Sequence, residues 1–156
     1  MIKFYEISQI EKLAVGDGTI KAKTGGTKNG FVGSISAGVV ANASTDGAGL
    51  KLFENYGNGD DAYSEFTVPA GELMTAWDLA VQKGKNVQVS PESITYTGAV
   101  NYASISAGTT LMGAGTDGNL AVIANAADIT AGGVYFKVNK KINFGGNGVL
   151  AEVVVK

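Results

Sequence analysis

Short apolar stretches set between glycine turn dipeptides constrain this chain more than any other feature. Asp17-Gly18, Asn29-Gly30, Asp46-Gly47, Asn58-Gly59, Asp117-Gly118 and Asn147-Gly148 recur along its length, and glycine in such pairs supplies the positive φ that tight turns need. The stretches between them alternate apolar with polar residues or are rich in Val, Ile, Thr, Tyr and Phe, as half-buried strands are. The expected fold class is all-β: a small β-sandwich or partly open β-barrel with short hairpins and little helix.

The clearest strand pair lies at the C-terminal end. Val134, Phe136 and Val138 share one side of an extended chain and Tyr135, Lys137 and Asn139 the other, as a period of two requires. Beyond Gly145-Gly146-Asn147-Gly148, read as the turn, Val149, Ala151, Val153 and Val155 line one face. The two runs are expected to form a terminal hairpin, with Ile142 and Phe144 continuing the first arm. The segment from Ala70 to Val81 contains good helix formers, Glu72, Leu73, Met74 and Ala76, so helix competes with strand there. Strand is preferred, because the Lys83-Gly84 turn brings Asn86 to Ser90 back as a natural partner. Leu120, Val122 and Ile123 also read as strand, with a helical turn over Ala124 to Ala127. Pro69 and Pro91 fit strand ends, where a missing donor does least harm.

At 156 residues the chain is long enough for one self-sufficient hydrophobic core. The expected division is an N-terminal arm over 1–13, carrying the apolar residues Ile2, Phe4, Ile7, Ile10 and Leu13, and a single β-rich domain over 14–156. The arm is expected to lie on a neighbouring subunit. No run of about 18 apolar residues occurs, the length a spanning helix requires, and no signal peptide is indicated at the N-terminus. The expectation is a chain made in a cytoplasm, with no membrane partner.

The residue types bear on function. The chain contains no His, no Cys and no Arg. It therefore lacks the side chain whose charge changes near neutrality, the thiolate nucleophile and the bidentate guanidinium fork. Twelve Lys stand against fourteen Asp and Glu, a formal charge of −2, and nucleic-acid binding calls instead for a clustered basic surface. Gly115-Thr116-Asp117-Gly118 and Gly25-Gly26-Thr27-Lys28 share only glycine content with phosphate-cradling loops. Neither completes the G-x-x-x-x-G-K-[ST] spacing.

Carboxylates remain. Asp60 and Asp61, with Glu54 and Glu65, form the densest acidic cluster, and paired carboxylates serve glycosidases when they face each other across a cleft. Here they read as the tip of a solvated loop, Asn55 to Tyr63. Asn58, Asp60 and Asp61 are oxygen donors of the kind Ca²⁺ takes, yet the spacing and distal Glu of an EF-hand loop are missing. No catalytic residue, cofactor or metal site is assigned. Among the aromatics Trp77 reads as core, Tyr96 and Tyr102 as surface or interface residues, and Tyr56 and Tyr63 as partner contacts flanking the acidic loop.

Taken together, these features resemble a capsid decoration protein, also called a head auxiliary or cement protein, of a tailed bacteriophage. The resemblance runs from Phe66-Thr67-Val68-Pro69-Ala70-Gly71 onward. It is carried by Gly84 to Ser90, Ser106-Ala107-Gly108-Thr109-Thr110-Leu111, Asp117-Gly118-Asn119-Leu120, Val134 to Val138, Phe144 to Gly148 and Glu152 to Val155. It implies a non-enzymatic virion structural protein that binds the outer surface of the capsid and stabilises it. The implied partners are the major capsid protein and further copies of the chain, a trimer being favoured. Ile2, Phe4, Ile7, Tyr56, Asp60, Asp61 and Tyr63 are the expected partner contacts. The alternatives are a carbohydrate-binding or adhesin-type β-sandwich module, or another virion component such as a head fibre or tail part. A trimeric β-fold nucleotide hydrolase would need Arg and Asp motifs that this chain does not have.

Overall fold

The computed structural model describes residues 1–5, 19–55 and 66–156. Over these residues the protein is all-β, in open sheets joined by short turns. The strands are β1 (Ile2–Phe4), β2 (Thr27–Lys28), β3 (Phe31–Ser36), β4 (Val39–Asn42), β5 (Lys51–Glu54), β6 (Thr67–Val68) and β7 (Thr75–Asp78). They continue with β8 (Asn86–Val89), β9 (Ile94–Thr95), β10 (Leu111–Ala114), β11 (Leu120–Ile123), β12 (Val134–Asn143) and β13 (Asn147–Val155).

A seven-stranded sheet runs in the order β1-β8-β13-β12-β10-β11-β9 and is antiparallel except where β9 meets β11. Register decides what it buries. Ile2 stands opposite Val89 and Phe4 opposite Val87, Ala151 opposite Val87 and Val138, and Met112 opposite Phe136 and Val122. These residues lie on one face, and that face forms the main core with Val134, Val149, Val153 and Leu120. The opposite face presents half-exposed Tyr135, Lys137, Leu150, Glu152 and Val154.

A four-stranded sheet, β4-β3-β5-β7, packs against that core. Its central strands break the alternation: Phe31 and Val32 are both buried, as are Leu52 and Phe53. The reason is that both faces of the sheet are covered. Val32 and Leu52 face the main core, whereas Phe31, Phe53, Val40 and Ala76 join Ile20, Ala22, Met74 and Val68 in a second cluster. Lys21 bridges Val39 on one side and Leu73 on the other, tying the β4 edge to the approach to β7. In β5 and β7, Lys51 lies directly opposite Asp78, with Nζ 2.6 Å from the carboxylate.

The terminal hairpin forms as expected from Val134 to Val155, and Val134, Phe136, Val138, Val149, Ala151 and Val153 are all buried. Two details differ from the sequence reading. The turn is Phe144 to Gly146, with Gly145 at φ 66° and Gly146 at φ 102°, while Asn147 and Gly148 already belong to β13. A bulge at Asn139 also shifts the register, so that Lys141 pairs with Val149 and Ile142 with Gly148. An extra residue reverses which later side chains share a face. Ile142 therefore leaves the face of Val138 and does not extend it.

The preference for strand over helix holds at β7, but only for Thr75–Asp78. Its expected pairing with β8 does not form: β7 pairs with β5, and β8 with β1 and β13. The turn through Lys83-Gly84 carries the chain from one sheet to the other, held by the backbone N–H of Gly84 donating to Val153 and that of Val153 donating to Lys85.

Candidate functional site

The tips of three turns converge on a cleft of about 130 Å³. The turn from β2 into β3 contributes Lys28, Asn29 and Gly30, and the approach to β6 and β6 itself add Phe66 and Thr67. A 3₁₀ turn at Pro91–Ser93 supplies Glu92 and Ser93, and a second at Thr116–Gly118 supplies Asp117 and Gly118 beside Asn119. Met1 and Phe31 complete the lining.

Each wall is fixed by local backbone chemistry. Asn29 is buried, its side-chain oxygen accepts from the backbone N–H of Asn55 at 2.9 Å, and its own N–H donates to the Phe66 carbonyl at 2.9 Å. Gly30, at φ 78°, donates to the Phe53 carbonyl, and a Cβ there would strike the backbone of Ile2. On the opposite wall Asp117 adopts φ 51° and Gly118 φ 78°. A Cβ on Gly118 would enter the Phe31 ring. Asp tolerates this left-handed conformation, and glycine adopts it freely. Beside the cleft, Lys23 places Nζ 4.5 Å from the Phe31 ring centroid, 3.3 Å from the Asn42 amide oxygen and 3.9 Å from the Asp117 carboxylate.

The lining offers carboxylates at Glu92 and Asp117, an ammonium at Lys28, amides at Asn29 and Asn119 and an aromatic edge at Phe66. Such a set hydrogen-bonds a polar guest and stacks on its apolar side. The Ser93 hydroxyl is engaged by the α-amine of Met1 at 2.6 Å. Among the described residues no group of three or more His, Cys, Asp or Glu is placed to hold a metal ion, and no helix is long and apolar enough to cross a membrane.

Of the partner contacts expected from sequence, the two that are described, Ile2 and Phe4, do not line this cleft. Ile7, Tyr56, Asp60, Asp61 and Tyr63 lie outside the described residues. Ile2 and Phe4 are described, and their placement corrects the expectation of a docking arm: both are core residues of β1, 1% and 3% exposed. Their side chains are spent inside the subunit. Phe4 meets Trp77 edge to face with ring centroids 6.2 Å apart, linking β1 of one sheet to β7 of the other.

Glu54, expected with the solvated acidic cluster, is instead 5% exposed and accepts a hydrogen bond from the Trp77 indole at 2.7 Å. Trp77 is half-buried against the main core. Tyr96 and Tyr102 are half-buried and pack on the same core. The Tyr102 hydroxyl donates to the Gly148 carbonyl at 3.2 Å, with Lys141 Nζ 4.7 Å from its ring centroid. The Tyr96 hydroxyl is buried without a hydrogen-bond partner, and burial raises its pKa above the ordinary phenol value, with Tyr102 adding to the shift.

The cleft residues escaped the sequence reading for a definable reason. Asn29-Gly30 and Asp117-Gly118 are visible as turns, but nothing local reveals that two turns so distant in the chain face each other. No family model, no curated protein and no solved structure matches the chain.

Proposed function

We propose that this chain is a non-enzymatic structural protein of a bacteriophage virion, one that binds the outer surface of the capsid and stabilises it. The observation that carries this reading is where the resembling segments sit. Gly84 to Ser90, the run into Leu111, Asp117 to Leu120, Val134 to Val138, Phe144 to Gly148 and Glu152 to Val155 lie in or at the ends of β8, β10, β11, β12 and β13. These strands are contiguous in the seven-stranded sheet. Most of the segments that carry the likeness to decoration proteins therefore fall in one sheet, while its first segment, Phe66 to Gly71, holds β6, which pairs with β2 in a separate two-stranded sheet.

A protein of this kind acts by buried contact area, without turnover, and an all-β body suits that task. Its partners in this reading are the major capsid protein and further copies of the chain, with a trimer on a local threefold. The contact regions are the segment carrying Ile7 and the stretch from Tyr56 through Asp60 and Asp61 to Tyr63. Ile2 and Phe4 are withdrawn from that set because the fold buries them.

The test is co-sedimentation of the purified chain with capsids that lack it. Binding that saturates at a fixed ratio to the major capsid protein supports the proposal, and absence of binding to those shells overturns it. A second reading, a carbohydrate-binding module, draws on the carboxylates, amides and Phe66 of the cleft. That reading predicts saturable binding of soluble glycans, lost on Asn29→Ala or Asp117→Ala, by a chain that does not sediment with shells.

A further inference from the structure

The connection between β11 and β12, residues 124–133, ties the seven-stranded sheet to a turn of the four-stranded one. The Thr130 backbone N–H donates to the Asp46 carbonyl at 3.0 Å, and at the start of β12 that of Val134 donates to the Gly47 carbonyl at 2.9 Å. The first half of the connection is a tight turn. The Asn125 side-chain oxygen accepts from the Ala127 N–H at 2.7 Å, the Ile129 N–H donates to the Ala126 carbonyl at 3.3 Å, and the Ile129 side chain is buried. Folding back in this way brings three carbonyl oxygens to one point. Lys156 places its Nζ there, 2.8 Å from the Ala126 oxygen, 2.9 Å from that of Ala127 and 2.6 Å from that of Ile129. A lysine ammonium has three N–H donors and no acceptor, and carbonyls left at the end of a turn take a cation as those at a helix C-terminus do.

We infer that the turn from Ala126 to Ile129 is a receptor for a primary ammonium group, that the ε-ammonium of Lys156 is its built-in ligand, and that occupancy of the receptor decides whether the connection stays docked on the β4–β5 turn. The three oxygens define the ligand class. A guanidinium spreads its donors over a plane and a quaternary ammonium has none, whereas a primary ammonium is compact and offers three. The approach of the ligand is fixed by backbone: the Lys156 N–H donates to the Gly133 carbonyl at 3.0 Å and the Gly132 N–H to the Lys156 carbonyl at 2.9 Å. The side chain therefore starts from one end of the connection and closes on the other. Without the ammonium, water can reach the exposed Ala127, but the Ile129 carbonyl, whose bond to Nζ is part-buried, loses its donor.

Amide hydrogen exchange on the whole chain tests the receptor, with Val138 and Ala151 in the hairpin as the internal control for an intact fold. Lys156→Met keeps an aliphatic stem and removes the charge and the donors. Exchange at Ile129, Thr130 and Gly133 should then rise about tenfold, the factor that about 1.4 kcal/mol produces, while the hairpin amides stay slow. Lys156→Gly opens the receptor to a ligand from solution: n-butylammonium should restore slow exchange at those three amides, and tetramethylammonium, which has no N–H, should not. Unchanged exchange in Lys156→Met would overturn the coupling of the ammonium to the docked connection. Equal effects of the two cations on Lys156→Gly, or no effect of either, would overturn the receptor.

Discussion

Two glycines show how single residues place the turns of this protein. Gly30 lies against the backbone of Ile2 and Gly47 against that of Val134, and a Cβ at either would meet a strand carbonyl and nitrogen. Both have φ near 78°, at 78° and 77°. Gly30→Ala and Gly47→Ala are each expected to cost about 2 kcal/mol or more in urea unfolding. Gly49→Ala, where φ is also positive but the space is open, should cost less. The same Asp46-Gly47 turn carries an electrostatic element. The backbone N–H of Ala48, and then the Ser44 hydroxyl, hold the Asp46 carboxyl below its ordinary pKa. A depressed acid favours the folded state when ionised. Its stabilisation is thus present above the ordinary carboxylate range and lost as the pH falls through the lowered value. The stability gap between the wild type and Asp46→Asn should shrink on acidification, and a constant gap between neutral and acid pH would show that the carboxylate contributes nothing through its charge.

Elements differ in how openly the sequence declares them. β12 and β13 are legible because one face is buried and the other wet, so side-chain burial alternates with the chain. The Asn139 bulge is not legible, since a lone Asn without a following Gly does not mark a turn and the bulge acts through register alone. β3 and β5 hide for the opposite reason: buried on both faces, Phe31-Val32 and Leu52-Phe53 show no alternation for a period-two reading to find. β1 misleads most. Its apolar residues do look like an adhesive arm, and only the partner strand β8 and the ring of Trp77 reveal that they are core. Phe4→Ser is therefore expected to destabilise the fold by about 3 kcal/mol and to change Trp77 fluorescence. A fully stable Phe4→Ser variant with native fluorescence would return β1 to the status of an arm.

For the whole molecule, the all-β class was readable from turn spacing, but the arrangement of sheets was not. Adjacent strand-like runs such as β7 and β8 look like a hairpin, yet each satisfies its backbone in a different sheet. The cleft needs the convergence of Asn29, Glu92 and Asp117, which are separated by long stretches of chain and joined by no motif. What the described residues offer is an all-β body of open sheets with a cleft built from turn tips. The role proposed for this chain is that of a virion shell component. Quantitative mass spectrometry of gradient-purified particles, comparing this chain with the major capsid protein, tests it most directly. A shell component should show a fixed, high ratio between the two that tracks with DNA-filled heads. A chain that stays in the soluble fraction, or that accompanies particles at only a few copies each, would contradict it.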